Sequence, residues 1–234
     1  MTSDLFTGGR GFPMDHLSPS FISKYEECPL KALYYRQDRP AIFDRRYAEV
    51  GRYTHSVIEQ QYNPNAETYR PEIMDGMMES RHADSMKGYD ELRRTDGRFD
   101  PAEGTQHPEV HVKIEVEGVP VIGFIDLLSI RGQTIYIDDW KTGRPKQADE
   151  EQIRIYTMMI ARIMGVSPRD IIATLDYLRD DPRKIQKRVA YTSTAAITQH
   201  IVQDVIEPIN DLQFIPVMGQ HCERCEYRST CEAW

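Results

Sequence analysis

The feature that most constrains this chain is one carboxylate, Asp126, set inside the otherwise apolar run from Val119 to Ile130. The run reads as a buried strand, and a buried carboxylate is costly unless a cation or a metal meets it. The next strand, Thr134 to Trp140, leads into Asp139-x-Lys141. Side chains alternate along a strand, so Asp139 and Lys141 point to one face. Two carboxylates and a lysine converging at a strand end suit a magnesium or manganese ion with an ammonium beside it. That is equipment for phosphodiester hydrolysis. Asp138 competes with Asp139, because a one-residue shift swaps their faces. The Lys141-Thr142-Gly143 spacing favours Asp139 and leaves Asp138 at the surface or behind the ligands.

The chain has 234 residues, enough for one large domain with a proper core. With 40% hydrophobic and 28% charged residues it has an ordinary globular composition. Val119–Ile130 is too short to span a bilayer. The first residues lack a basic segment followed by an apolar one, so secretion is not expected and a cytoplasmic location is. The net charge of −8 counts against nucleic-acid binding, which needs local positive charge. Between Lys31 and His55, however, Lys31, Arg36, Arg39, Arg45, Arg46 and Arg52 are interleaved with Tyr34, Tyr35, Tyr47 and Tyr53. This stretch reads either as a single-strand path or as a solvated helix face with snorkelling arginines. A second basic cluster, Arg183-Lys184 with Lys187-Arg188, is open to the same two readings.

Ser18-Pro19 predicts a helix start, with Phe21, Ile22, Tyr25 and Cys28 on neighbouring faces. A second helix is expected over about Tyr47 to Tyr62. Pro71 to Arg94 is helical but polar, with weak periodicity, and reads as an insertion or a mobile arm. The pattern then changes to period two: Val110, Val112, Ile114 and Val116 alternate with polar residues. Turns at Glu117-Gly118 and Arg131-Gly132 make a three-stranded meander with the strands of Asp126 and Asp139. A helix from about Ala148 to Met164 shows an apolar stripe and crosses over to a strand at Ile171–Leu178. Gln186–Thr192 reads as a further strand and Thr194–Leu212 as a helix before the cysteine-rich tail. The expectation is one α/β domain over 1–234: a helical part at 18–62, a helical insertion at 63–106, a core at 107–192, and a C-terminal helix and tail at 193–234.

Gly123-x-x-Asp126, then Asp139-x-Lys141-Thr142-Gly143, then Gln152-x-x-x-Tyr156, preceded by Gly51-x-x-x-His55, resemble the RecB-like branch of the PD-(D/E)XK nucleases. The match runs in the family's order from Leu17 to Cys231. It implies a restriction-endonuclease-like fold, a mixed central sheet flanked by helices. It further implies that Asp126, Asp139, His55 and the Trp140 carbonyl hold Mg2+ or Mn2+, the imidazole tilting the choice toward manganese. Lys141 would orient the attacking water or stabilise charge on the phosphate. Gln152 and Tyr156, on one helix face, would orient the lysine and contact the nucleic-acid backbone. Glu109 resembles an acidic position of the family, behind the ligands or on a second metal.

The four cysteines, Cys28 and Cys222-x-x-Cys225-x5-Cys231, supply the thiolates of one metal centre. Disulfides are disfavoured in the cytoplasm, and the tail around them is too polar to be core. Together with Ser18-Pro19-Ser20-x-Ile22 and Tyr25-x-x-Cys28-Pro29, they resemble the iron staple of AddB-type nuclease domains and CRISPR-associated adaptation nucleases. The resemblance implies a [4Fe–4S] cluster tying the first helix to the tail, with zinc as the rival metal. The expected activity is a stand-alone DNA exonuclease acting on single-stranded ends, 5′→3′ favoured over 3′→5′. No G-x-x-x-x-G-K-[ST] motif is present, so any unwinding would come from a helicase, recombination or CRISPR-adaptation partner. The alternatives are a DNA-end-binding subunit that does not cut, or a metal-stabilised scaffold, zinc-bound in one version, with an acidic surface for a protein partner.

Overall fold

The computed structural model describes residues 14–39, 41–42, 44–100, 104–179, 186–188 and 193–233. The chain divides into two compact units. One comprises Met1–Phe43, Lys113–Gly123 and Ser193–Trp234, the other Asp44–Val112 and Phe124–Thr192. A five-stranded sheet runs in the order β1 (Thr105–Val116), β2 (Val119–Arg131), β3 (Thr134–Lys141), β4 (Ile171–Tyr177), β5 (Gln186–Arg188). β3 pairs antiparallel with β2 and parallel with β4, and β5 pairs antiparallel with β4, so the sheet is mixed. The expected meander is present. The parallel β3–β4 pair is joined through α5 (Gln147–Met164), as a parallel pair requires. Arg183 and Lys184 lie outside the described residues, as do residues 189–192 of the expected fifth strand.

In the first unit, α1 (Pro19–Glu27) is capped by Ser18, whose hydroxyl accepts from the Phe21 N–H. The chain breaks at Cys28 and restarts as α2 (Pro29–Arg36). Cys28 is extended (φ −164°, ψ 112°) because a residue before proline is driven out of the helical region. Leu17 bridges to Val121, donating to the Pro120 carbonyl and accepting from Ile122. The C-terminal helix runs as α6 (Thr194–His200), a π-helical turn (Ile201–Ile206) and α7 (Glu207–Asn210). Pro208, in the first turn of α7, has no N–H to donate back into the π-helical turn, so one helical hydrogen bond is missing at the junction.

In the second unit, α3 (Arg46–Tyr62) and α4 (Gly76–Thr95) pack on each other. The segment read as an insertion or a mobile arm is therefore part of the core. Tyr89 and Leu92 of α4 join Ile58, Phe99, Leu127, Trp140 and Leu178 in one apolar cluster. Gly88 permits this approach: a Cβ there would stand 1.8 Å from the Leu178 carbonyl oxygen.

The register fixes which β3 residues face what. Leu127 lies opposite Asp138, so Asp126 and Asp139 share the other face of the sheet. Asp138, expected at the surface or behind the ligands, is fully buried on the face away from Asp139. It pairs with Arg98, which also meets Asp96 and Asp176. One guanidinium thus serves three carboxylates. Burial raises the Asp138 carboxyl to about 8; Arg98 opposes the rise, and Asp176 and Asp96 add to it. Folded Asp138 therefore keeps a proton that the unfolded carboxyl loses near pH 4. The stability this contributes is full below the unfolded value and is lost as pH rises through about 8. The unfolding midpoint should fall between pH 5 and pH 9, by an amount worth on the order of 4 kcal/mol. Asp138→Asn, uncharged throughout, should reduce the slope, leaving the smaller contributions of Glu109 and Asp139. A wild-type profile that rises over that window contradicts the assignment.

Candidate metal and phosphodiesterase site

Five elements of the second unit build the site, β1 supplying Glu109. His55 comes from α3, Asp126 from β2, Asp139 and Lys141 from the end of β3, and Gln152 and Tyr156 from α5. Gly51 lets α3 come close: a Cβ there would lie 3.1 Å from Thr142 Oγ1, in the loop just after Lys141. The glycine and histidine of Gly51-x-x-x-His55 thus act together, one allowing the approach and the other delivering the imidazole.

The ligand atoms of His55, Glu109 and Asp126 all lie within 4.8 Å of one another. His55 Nδ1 is 3.2 Å from Asp126 Oδ1, and Asp126 Oδ2 accepts the Trp140 N–H at 2.7 Å. Glu109 reaches the group from a left-handed backbone conformation (φ 46°) in β1, uncommon for a residue other than glycine. Its carboxylate stands with His55 and Asp126, a more direct place than the sequence assigned it. Trp140 contributes its N–H to Asp126, while its indole is buried in the apolar cluster.

Asp139 is engaged by Lys141, Nζ to Oδ2 2.6 Å. Lys141 Nζ also donates to Gln152 Oε1 at 2.9 Å, and Gln152 Nε2 donates to the Tyr156 hydroxyl at 3.1 Å. The helix face shared by Gln152 and Tyr156 thus fixes the ammonium through one amide. At the start of α5, Asp149 Oδ2 accepts from the Lys146 N–H and the Tyr177 hydroxyl, anchoring the helix to β4.

The electrostatics follow from burial and mutual charge. Burial pushes Glu109 up to about 7, with Asp126 adding to the rise and His55 opposing it. Burial also raises Asp139 to about 6 against the pull of Lys141. Asp126 is held below the usual carboxylate value despite burial, chiefly by His55, and His55 is raised in turn by Asp126 despite its own burial. Lys141 stays charged, because Asp139 and Asp126 outweigh its desolvation. A nitrogen and two carboxylate donors, with a third carboxylate and an ammonium alongside, fit a hard divalent cation. That cation would polarise a phosphate and lower the pKa of a bound water.

One feature of the face was not read from the sequence. Phe124 lies two residues before Asp126, on the same side of β2, and is 56% exposed. Its ring lies 4.9 Å from that of His111, at 30° between planes. An exposed aromatic in an otherwise apolar strand was the available signal. The arginine–tyrosine stretch, by contrast, is divided. Tyr34 is buried against Tyr227 in the first unit, and Lys31 pairs with Glu27 and Glu226. Tyr47 of the second unit is exposed.

All four cysteines are in the first unit and line one pocket of ≈ 410 Å³, open volume included. None forms a disulfide. Lys31 and Arg228 also line the pocket, and burial raises the Cys225 thiol above its ordinary value. The tail is held to the N-terminal helices by Ile42 N–H to the Glu226 carbonyl (2.7 Å) and Glu232 N–H to the Tyr34 hydroxyl (3.3 Å). No helix among the described residues is long and apolar enough to cross a membrane.

The family model of the PD-(D/E)XK nuclease superfamily matches residues 16–232. Among solved structures, a protein described as a "putative exonuclease" from Eubacterium rectale is similar over 93% of this chain and 90% of its own, at 13% identity and a TM-score of 0.57. The crystal structure of SSO0001 matches over 94% of this chain and 87% of its own, at 18% identity and a TM-score of 0.49. No curated protein matches the chain. The family match covers both the β2–β3–α5 site and the histidine helix that serves it, and the chain belongs to the PD-(D/E)XK nuclease superfamily.

Proposed function

We propose that this protein is a metal-dependent exodeoxyribonuclease of the RecB-like branch that digests single strands from an end, 5′→3′. The observation that carries the reading is the convergence of His55, Glu109 and Asp126 beside the Asp139–Lys141 pair. Asp126, Glu109, Asp139 and His55 would hold Mg2+ or Mn2+, and the imidazole favours manganese. Lys141, held by Gln152, keeps its proton and places positive charge where the phosphate oxygens gain negative charge. Support for a single-stranded substrate comes from Phe124 and His111, whose rings offer a stacking surface beside Asp126 that a paired base could not use.

The cysteine pocket is read as a [4Fe–4S] site. The support is that Cys28 and the three cysteines of the tail line one pocket, with zinc as the rival metal. Action with a helicase, recombination or CRISPR-adaptation partner fits a chain that carries no nucleotide-binding motor of its own.

Linear and covalently circular single strands of one sequence, digested side by side, test the activity. Loss of the linear strand alone is expected, and nicking of the circle contradicts an exonuclease. Phe124→Ala should raise KM for the linear strand about tenfold, with Phe124→Tyr restoring it, since base–aromatic stacking is worth about 1–3 kcal/mol. An unchanged KM removes the stacking surface from the account.

A further inference from the structure

Three arginines of the second unit gather at the carboxyl ends of the parallel strands β3 and β4, next to the lysine of the site. Arg81 reaches over from α4, with Nη2 3.5 Å from the Thr142 carbonyl oxygen, one residue past Lys141. Its guanidinium lies 4.5 Å above the Tyr47 ring. Arg179 follows Leu178, whose N–H donates to the Lys141 carbonyl at 2.9 Å. Arg144 stands in the exposed loop after Gly143. The charges are close enough to act on one another: after burial, Arg179 and Arg144 both lower the Arg81 pKa, with only Tyr47 and Asp84 opposing.

Other arginines of the chain find acids. Arg46 has Asp44 and Asp75, Arg98 has three aspartates, and Arg154 has Glu150 and Glu151. Here, the buried Nε atoms of Arg81 and Arg179 have no hydrogen-bond partner among the described residues; Arg154 Nε has none either, but its outer nitrogens reach Glu150 and Glu151. Converging like charges are costly unless an anion completes them, and planar guanidinium donors suit phosphate oxygens. The carboxyl ends of parallel strands are where α/β sheets receive ligands. A phosphomonoester carries about −1.5 to −2 charges at pH 7, closer to what three cations call for than the single charge of a backbone diester.

We propose that Arg81, Arg144 and Arg179 form a pocket for the terminal phosphomonoester of the strand being digested. The pocket sets which ends are attacked, and the inference rests on the nuclease reading above. The phosphate could belong to a 5′ or a 3′ end, and the substrates tell these apart.

Single-stranded oligonucleotides with a 5′-phosphate, a 3′-phosphate or hydroxyls at both ends are compared in two assays with the full chain. One is binding by fluorescence anisotropy without divalent metal, and the other is initial digestion rate with Mn2+. One phosphorylated end should bind and be digested about tenfold better than the hydroxyl ends, as charge-assisted hydrogen bonds imply. Arg179→Gln and the solvent-exposed Arg144→Gln, which does not threaten folding, should bring that ratio toward one, mainly through KM. Inorganic phosphate should compete only against the favoured end. Equal binding of all three oligonucleotides by the wild type overturns the pocket. So does an equal loss on all three in the variants, which marks a backbone clamp. A phosphate preference in binding without any digestion keeps the pocket and refutes the nuclease reading instead.

Discussion

Lys141→Ala should lower the single-turnover rate of the proposed strand digestion by about 10²–10³-fold while leaving metal binding in place. The magnitude follows from removing one pre-positioned charge from a site that excludes most solvent. Lys141 is 20% exposed and is fixed from two sides, by Asp139 at 2.6 Å and Gln152 at 2.9 Å. The fold should survive. Asp139 loses its counter-charge, but a divalent cation bound beside it would supply another; in the metal-free protein its carboxyl, raised by burial to about 6, takes up a proton instead of remaining an unpaired buried ion. Lys141→Arg should not rescue, because a planar fork cannot occupy the place of a compact ammonium held by one amide oxygen. Gln152→Ala should cost less, about tenfold, since Asp139 still positions the lysine. A Lys141→Ala protein that digests at the wild-type rate removes the lysine from the chemistry.

On the proposed [4Fe–4S] reading, Cys28→Ala should abolish bound iron and destabilise the first unit by about 5 kcal/mol, the scale of closing a loop of this length with one cross-link. Cys28 sits at the break between α1 and α2, while Cys222, Cys225 and Cys231 sit in the tail, so a shared cluster closes nearly the whole chain into one loop. The loss should appear as iron per protein falling from about four to near zero, with the brown absorption gone. The unfolding midpoint should fall with it. Full iron content in Cys28→Ala refutes the shared cluster, and one zinc per wild-type protein replaces it with a zinc site.

The strands and the site lysine were legible in the sequence because period-two patterning fixes parity. Once β3 is a strand, Asp139 and Lys141 must share a face and Asp138 must oppose them, as the register shows. The spacing from Gln152 to Tyr156 was legible for the same reason in a helix. Helix α4 was not. Its buried face includes Ser85 and Gly88, whose contribution is close approach rather than hydropathy, so the periodicity looked weak. Nor could sequence pair Arg98 with Asp138 and Asp176, which β-sheet register and the turn after α4 bring together. Glu109 needed its left-handed backbone to reach His55 and Asp126, and no alternation pattern reports such a turn. The arginine–tyrosine run left two readings open for a related reason, since residues near in sequence are distributed between two units with different surroundings.

The most direct test of the account is the release of nucleotides from end-labelled linear single-stranded DNA with Mn2+ or Mg2+, with and without chelator, by the wild type and by Asp126→Asn. Asp126 receives His55 on one oxygen and the Trp140 N–H on the other, so asparagine preserves its shape and removes the charge that a divalent ion needs. Stepwise, chelator-sensitive digestion by the wild type, with loss of about 10³-fold or more in Asp126→Asn, is the expected result. Digestion that persists in chelator, or that Asp126→Asn performs as well as the wild type, would contradict a metal-dependent site at His55, Glu109 and Asp126.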